Sequence, residues 1–347
     1  MYLKKPKNMK TILIEGKETL SVVDREMPAL GAGDVLIKIG FVGFCGSDLN
    51  TWLGQNALAI SPVVPGHEIG GTVEEIGPDV PEGLFRKGMH VTVNPYTACG
   101  KCPACRQRRP NTCRDNQTLG VQRHGAMQEY IAVPWEKVVE AEGLSVKECA
   151  LIEPMSVGFH AVARAGVTDI DTVMVIGCGM IGLGAIVRAS LRGARVIAVD
   201  IDSKKLDLAR RLGAAYGLDS TKEDFHDRLM EITAGDGPDV VVEAVGSPFT
   251  YNLAVNEVSF AGRVVCIGYS AQPVTFQTKL FVQKELDIRG SRNALPEDFK
   301  AVKEYMKRGT CPVDDLVSAI VKPEEAADIL AYWNAHRGDV FRILVRF

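Results

Sequence analysis

The 347-residue sequence predicts an α/β protein in two parts, one β-rich and one built on a doubly wound parallel sheet. Three observations lead there. Over residues 1–150, short β-prone runs are punctuated by Gly and Pro. From about residue 145, strand-like apolar runs alternate with helical stretches. A glycine-rich turn beginning at Gly177 joins the first of those strands to an apolar helix. Strands alternating with helices specify parallel pairing, because each crossover helix returns the chain to the end of the sheet where the previous strand began.

The β-prone runs of the first part are 11–15, 35–44, 72–76, 90–93 and 128–133, separated by Gly31-Ala32-Gly33, Pro62, Pro65-Gly66 and Gly77-Pro78. Ser145-x-x-Glu148 and Ser220-x-x-Glu223 carry the spacing of capping boxes and predict two helix starts. In the second part the expected order is strand 172–176, helix 181–191, strand 195–199, helix 203–212, helix 224–232, strand 240–242 and strand 263–267. A tail follows with helices 296–307 and 324–333 and a last strand 340–346, expected to pack back on the first part. No internal repeat or low-complexity tract interrupts this order.

Composition narrows the function classes. Hydrophobic residues at 46% and charged residues at 24% are ordinary for a globular protein with a large core. A net charge of −3 argues against a surface built to bind nucleic acid. No run of about eighteen apolar residues is present, so no membrane span is expected. Residues 1–10 are basic without the apolar stretch of a secretory signal, and Met9 offers an alternative start. Of the nine cysteines, four crowd between Cys99 and Cys113, which reads as metal binding in a reducing cytoplasm rather than as disulfides.

The turn Gly177-Cys178-Gly179-Met180-Ile181-Gly182 follows the apolar run 173–176. Its glycines permit a tight turn, close approach of backbone to a pyrophosphate and close helix packing, while the helix start offers free N–H groups to phosphate. The next strand ends in Asp200, at the spacing where an acid accepts from both adenosine ribose hydroxyls and repels a 2′-phosphate. That selects NAD over NADP. Lys205 stands five residues on as a further ribose contact, or as a solvated helix lysine.

Cys99, Cys102, Cys105 and Cys113 form C-x2-C-x2-C-x7-C, a set that closes a tetrahedron on one zinc and leaves no position for substrate, so its role is structural. An iron–sulfur cluster is the residual alternative. A zinc ribbon binding nucleic acid would suit Arg106, Arg108 and Arg109, but a second Cys pair at ribbon spacing and a basic balance are missing. Cys149, Cys178, Cys266 and Cys311 read as small apolar residues.

Three further segments, Cys45-Gly46-Ser47-Asp48, Gly66-His67-Glu68-x-x-Gly71-x5-Gly77 and Ala150-Leu151-Ile152-Glu153-Pro154, have ordinary readings one by one: a core thiol, a satisfied histidine, a helix-capping carboxylate. Taken in order with the cysteine loop and the glycine turn, they resemble the zinc-containing medium-chain alcohol dehydrogenase superfamily over essentially the whole chain. Glu153-Pro154 and Cys-Gly-Ser-Asp are closer to its polyol, sorbitol dehydrogenase-like branch than to the ethanol-using branch, which has cysteine at the Glu153 position.

The resemblance implies a GroES-like catalytic domain over 1–150 and 290–347, with the structural zinc loop at 99–113, and a Rossmann NAD-binding domain over 151–289. It also implies two zincs and NAD, a small-molecule substrate, and a homodimer or homotetramer. Carried over, Cys45 and His67 become ligands of a catalytic zinc, with Glu153 the more regular third ligand and Glu68 an alternating one. Gly177, Gly179, Met180, Ile181, Gly182, Asp200 and Lys205 hold the dinucleotide. An open zinc position lowers the pKa of a bound hydroxyl so that hydride can leave its carbon for the nicotinamide. Ser47 matches the hydroxyl that takes the alcohol proton. Many relatives place a histidine three residues later; here it is Asn50, which cannot titrate near neutrality, and His124 earns that role only on geometry. A relative that had kept the fold without the chemistry would have lost some of Cys45, His67, Glu153 and Asp200; all are present.

The segments 118–125 and 290–294 look like those of bacterial sugar-acid 5-dehydrogenases acting on L-galactonate, L-gulonate or L-idonate. An anionic substrate needs a cationic anchor, and Arg123 and Arg292 are the candidates. For Arg292 a phosphate contact to the cofactor is the competing reading, and either arginine could be a surface ion pair. A neutral polyol such as sorbitol is the second substrate reading, and an amino alcohol such as threonine the third.

Overall fold

A computed structural model describes residues 7–347. The basic start at residues 1–6 lies outside the described residues. The chain divides into two compact units, one comprising 1–153 and 299–347 and the other Pro154–Asp298.

In the first unit the long strand Asp34–Phe44 organises the sheet. One edge pairs antiparallel with Glu68–Ile76, bringing Gly43 opposite Glu68. Its other edge is shared: Tyr130–Pro134 pairs with the first half and Ile343–Arg346 with Phe41–Phe44. His90–Val93, Val138–Glu140 and Ala319–Val321 extend this to seven strands. Alternation explains the core. Val35, Ile37, Ile39, Val42 and Phe44 are buried with Val73, Val91, Val133 and Val345. A separate hairpin, Asn8–Gly16 with Thr19–Glu26, sends Ile12 and Ile14 into the same core. Its second strand was not expected, because 19–26 carries charges at three of its eight positions and has no fully buried residue.

The second unit is the expected doubly wound sheet. Six parallel strands run in the order Tyr216–Leu218, Arg195–Val199, Thr172–Ile176, Val240–Glu243, Arg263–Cys266, Asp287–Gly290. The central strands are buried on both faces, which is why they read as continuous apolar runs. The two outer strands were missed because they are short and half-exposed, with no apolar run to mark them.

The capping box at Ser145 and Glu148 forms as expected, with Glu148 N–H donating to Ser145 Oγ at 3.3 Å and Ser145 N–H to Glu148 Oε2 at 2.7 Å. The one at Ser220 and Glu223 does not. There Asp219 Oδ1 takes the N–H and hydroxyl of Thr221, fixing a turn, and the helix starts at Phe225. Among the described residues no helix is long and apolar enough to cross a membrane.

Candidate metal centres and dinucleotide site

Cys45 follows directly on the strand Asp34–Phe44 and caps the helix Gly46–Trp52. Asp48, fully buried in that helix, accepts from Cys45 N–H at 2.8 Å and from Gly66 N–H at 3.3 Å. One carboxylate thus ties together the backbone before two candidate ligands. His67 directly precedes the next strand, Glu68–Ile76, which Glu68 opens. Because Gly43 stands opposite Glu68, its missing side chain leaves room for that carboxylate: a Cβ there would lie 2.1 Å from Glu68 Oε2. One donor atom each from Cys45, His67 and Glu68 lies within 4.8 Å of the others.

The donor set suits zinc. Sulfur, imidazole nitrogen and carboxylate oxygen are its usual ligands. His67 Nδ1 and Glu68 Oε2 are buried with no hydrogen-bond partner, a costly state that a metal ion relieves. Burial alone would raise the Cys45 thiol, yet the hydrogen bond and charge of His67 bring it down. His67 answers in kind: burial works against its charge, but Cys45, Asp48 and Glu153 hold it well above the ordinary imidazole value. Burial pushes Glu68 far above the usual carboxylate range despite Arg342 nearby.

Glu153 is placed differently from the expectation that made it the more regular ligand. It lies outside the close set of Cys45, His67 and Glu68, buried at the start of the helix Ile152–Ala165, and accepts from the Tyr96 hydroxyl. Glu68 takes the nearer position because it follows His67 in sequence and faces a glycine. Glu153 still acts on His67 through its charge.

Ser47 Oγ is buried with no partner, while Thr51 and Asn56 both donate to its carbonyl instead. Asn50 is exposed. His124 Nδ1 accepts from Val64 N–H at 3.1 Å, which commits that nitrogen to the backbone. Arg342 went unnoticed in the sequence, where no motif surrounds it. It is buried beside Glu68, with Nη1 3.0 Å from Glu68 Oε1 and donating to the Phe44 carbonyl at 2.8 Å.

The four-cysteine loop gathers Cys99, Cys102, Cys105 and Cys113. The Cys102 sulfur is 3.6 Å from that of Cys105 and 3.9 Å from that of Cys113. A tetrahedron of sulfurs about 2.3 Å from zinc has edges of about 3.8 Å, so the spacing fits. Backbone N–H groups of Cys99, Cys102 and Asp115 point at sulfurs of the set, as thiolates require. The cysteines are all free.

In the second unit the turn from Gly177 to Gly182 leaves the strand Thr172–Ile176. Gly177 has φ +94°, and a Cβ at Gly182 would sit 1.8 Å from the Gly177 carbonyl. Nothing lies within 4 Å of a Cβ at Gly179, the position that must admit a pyrophosphate. Met180 and Ile181 begin the helix Met180–Leu191. Asp200 Oδ2 accepts from Cys178 N–H at 2.7 Å and Oδ1 from Asp202 N–H at 3.1 Å. Lys205 stands on the following helix, close enough for its charge to act on Cys178.

Of the two arginines, Arg123 belongs to the first unit and Arg292 to the second. Arg123 is half-buried; Nη2 donates to the Pro95 carbonyl at 3.3 Å and Nε has no partner. Arg292 follows the strand Asp287–Gly290 and is half-buried.

Comparison with known proteins agrees with this architecture. Residues 31–143 match the alcohol dehydrogenase GroES-like domain and 181–308 the zinc-binding dehydrogenase family. The chain is 35% identical over 311 residues to an L-galactonate-5-dehydrogenase of Escherichia coli K12, covering 89% of this chain and 91% of that one. It is 29% identical to a sorbitol dehydrogenase of Bacillus subtilis, covering 98% of each. A crystal structure of an alcohol dehydrogenase from E. coli CFT073, complexed with NADH, superimposes with a TM-score of 0.90 at 29% identity, covering 99% of this chain and all of that one. The chain therefore belongs to the zinc-type medium-chain alcohol dehydrogenase family. It is an oxidoreductase of CH–OH donors that uses zinc and NAD, within the part of the family that handles polyols and sugar acids.

Proposed function

We propose that this enzyme transfers hydride from the C5 secondary hydroxyl of a sugar acid of the L-galactonate or L-gulonate type to NAD, giving a keto acid. The observation that carries this reading is Arg123. Burial lowers its guanidinium from the ordinary arginine value, and its buried Nε lacks an acceptor. Its segment packs on the one bearing His67: Gly125 N–H donates to the Val64 carbonyl at 2.7 Å and Ala126 N–H to that of Gly66 at 2.9 Å. Pro95, which takes Arg123 Nη2, directly precedes Tyr96, the partner of Glu153. A carboxylate on the substrate would satisfy that guanidinium. The relative acting on L-galactonate points the same way. Arg292 is the second proposed anchor. A neutral polyol is the alternative substrate, supported by the sorbitol dehydrogenase relative, and L-threonine a more distant one.

Cys45 and His67, with Glu68 and in turn Glu153, would hold the catalytic zinc, which supplies a lower pKa to the substrate hydroxyl. Ser47 Oγ, buried and unpartnered, accepts the hydroxyl proton. Since exposed Asn50 cannot titrate, the proton then passes to solvent water. The four-cysteine loop would hold a second, structural zinc, making two per chain. Asp200, fixed by Cys178 and Asp202, would take the ribose hydroxyls, with Lys205 beside it. The free thiols suit a reducing, cytoplasmic setting. Homo-oligomerisation fits the strand Asp287–Gly290, an edge of its sheet with Ile288 45% exposed, and the preceding helix Lys279–Gln283, where Val282 is 83% exposed.

Two results are expected. Arg123→Leu should raise KM for an aldonate about tenfold or more while changing KM for a neutral polyol little, because a charge-assisted bond is lost only for the acid. Steady-state kinetics on both substrates check this, and equal changes would remove the carboxylate anchor. Asp200→Gly should narrow the preference for NAD over NADP by about tenfold or more, since the group that repels a 2′-phosphate is gone. Unchanged discrimination would mean that another group reads the ribose.

A further inference from the structure

We propose that Glu243 is a positioning residue for the dinucleotide, acting through the loop that follows its strand. This rests on NAD binding and is independent of the substrate reading. Glu243 ends the strand Val240–Glu243 in the middle of the sheet and is fully buried. Its Oε1 accepts three hydrogen bonds: from Val245 N–H at 2.9 Å, Gly246 N–H at 2.7 Å and the Thr250 hydroxyl at 2.8 Å. Its backbone carbonyl accepts from Ile267 N–H at 2.8 Å, the start of the next loop. One residue therefore fixes the turns leaving two adjacent strands.

Those turns meet the glycine turn at Gly177 with no slack. A Cβ on Gly177 would lie 2.6 Å from Val245 Cγ2, one on Gly246 2.6 Å from the Tyr269 carbonyl oxygen, and one on Gly268 2.2 Å from Gly246 N. Yet the side chains carried here are open to water: Val245 is 51% and Tyr269 81% exposed. Apolar groups held rigidly beside the phosphate turn, at the carboxyl ends of parallel strands, form a wall for a bound dinucleotide. The wall stands where it does because Glu243 Oε1 gathers the Val245 and Gly246 amides. Without that acceptor both amides, part-buried in this turn, seek other partners, and Val245 shifts off Gly177.

The test compares Glu243→Gln, which keeps a carbonyl oxygen for the same three donors, with Glu243→Asp, which draws the acceptor back by about 1.5 Å. NADH affinity is read by fluorescence titration of the full enzyme, alongside kcat, KM for NAD and zinc content. The aspartate variant should bind NADH about tenfold more weakly and raise KM for NAD to match, with kcat at saturating NAD within about threefold and zinc content unchanged. The glutamine variant should stay within about threefold of the parent in affinity. Glu243→Asp binding NADH like the parent would overturn the proposal. So would equal losses in both variants, or a loss confined to kcat, since each means that the acceptor's placement is not what the dinucleotide senses.

Discussion

Cys45→Ala is expected to fold normally and to lose turnover by about a thousandfold or more. The argument is local. Cys45 is half-exposed at the end of its strand, and the tether that positions its backbone, the bond from Cys45 N–H to Asp48, does not involve the sulfur. Alanine keeps that bond and the helix start. What disappears is the sulfur that shares the close set with His67 and Glu68, and with it the charge that helps hold His67 well above its ordinary value. Circular dichroism and thermal melting should match the parent while the rate falls to near background. A variant retaining a tenth of the activity would show that the sulfur is not a ligand of the reacting centre.

Arg342→Met should produce the largest loss of stability in the first unit, about 3 kcal/mol. Arg342 is buried beside Glu68, with Nη1 3.0 Å from Glu68 Oε1, and it also fastens the Phe44 carbonyl just before Cys45. Removing the guanidinium takes from a buried carboxyl the one protein cation besides His67 that acts on it, leaving only the metal it would help hold. Breaking one side of such a pair costs far more than the pair contributes. Adding Glu68→Gln to Arg342→Met should recover about 1 kcal/mol or more, because the stranded charge is then gone. Denaturant unfolding of the two single variants and the double variant measures this. Strict additivity would mean the two side chains do not sense one another.

The parallel sheet was legible because its central strands are apolar on both faces and its glycine turn obeys a fixed spacing. Asp200 fell where that spacing requires, and it is fastened to the same turn by Cys178 N–H. The cysteine loop was legible for a simpler reason: the four cysteines that the fold gathers are close in sequence. The group of Cys45, His67 and Glu68 drew on segments far apart, so its expected role depended on resemblance. There Glu153 was expected as the more regular ligand, and the structure gathers Glu68, not Glu153, closest to Cys45 and His67. A glycine at position 43 makes the space that Glu68 fills. Arg342 and Glu243 gave no local signal, since a single charged residue in an apolar stretch is readable only once its partners are known. The Ser220–Glu223 spacing misled because Asp219, one residue earlier, competes for the same turn.

Counting zinc by atomic emission in the parent, Cys45→Ala and Cys102→Ala proteins tests the central claim most directly. Two separate clusters predict about two ions per chain in the parent and about one in each variant, with catalysis lost in the first and thermal stability lowered in the second. A parent carrying one ion, or a Cys45→Ala protein that keeps both, would contradict the assignment of Cys45, His67 and Glu68 as a metal centre.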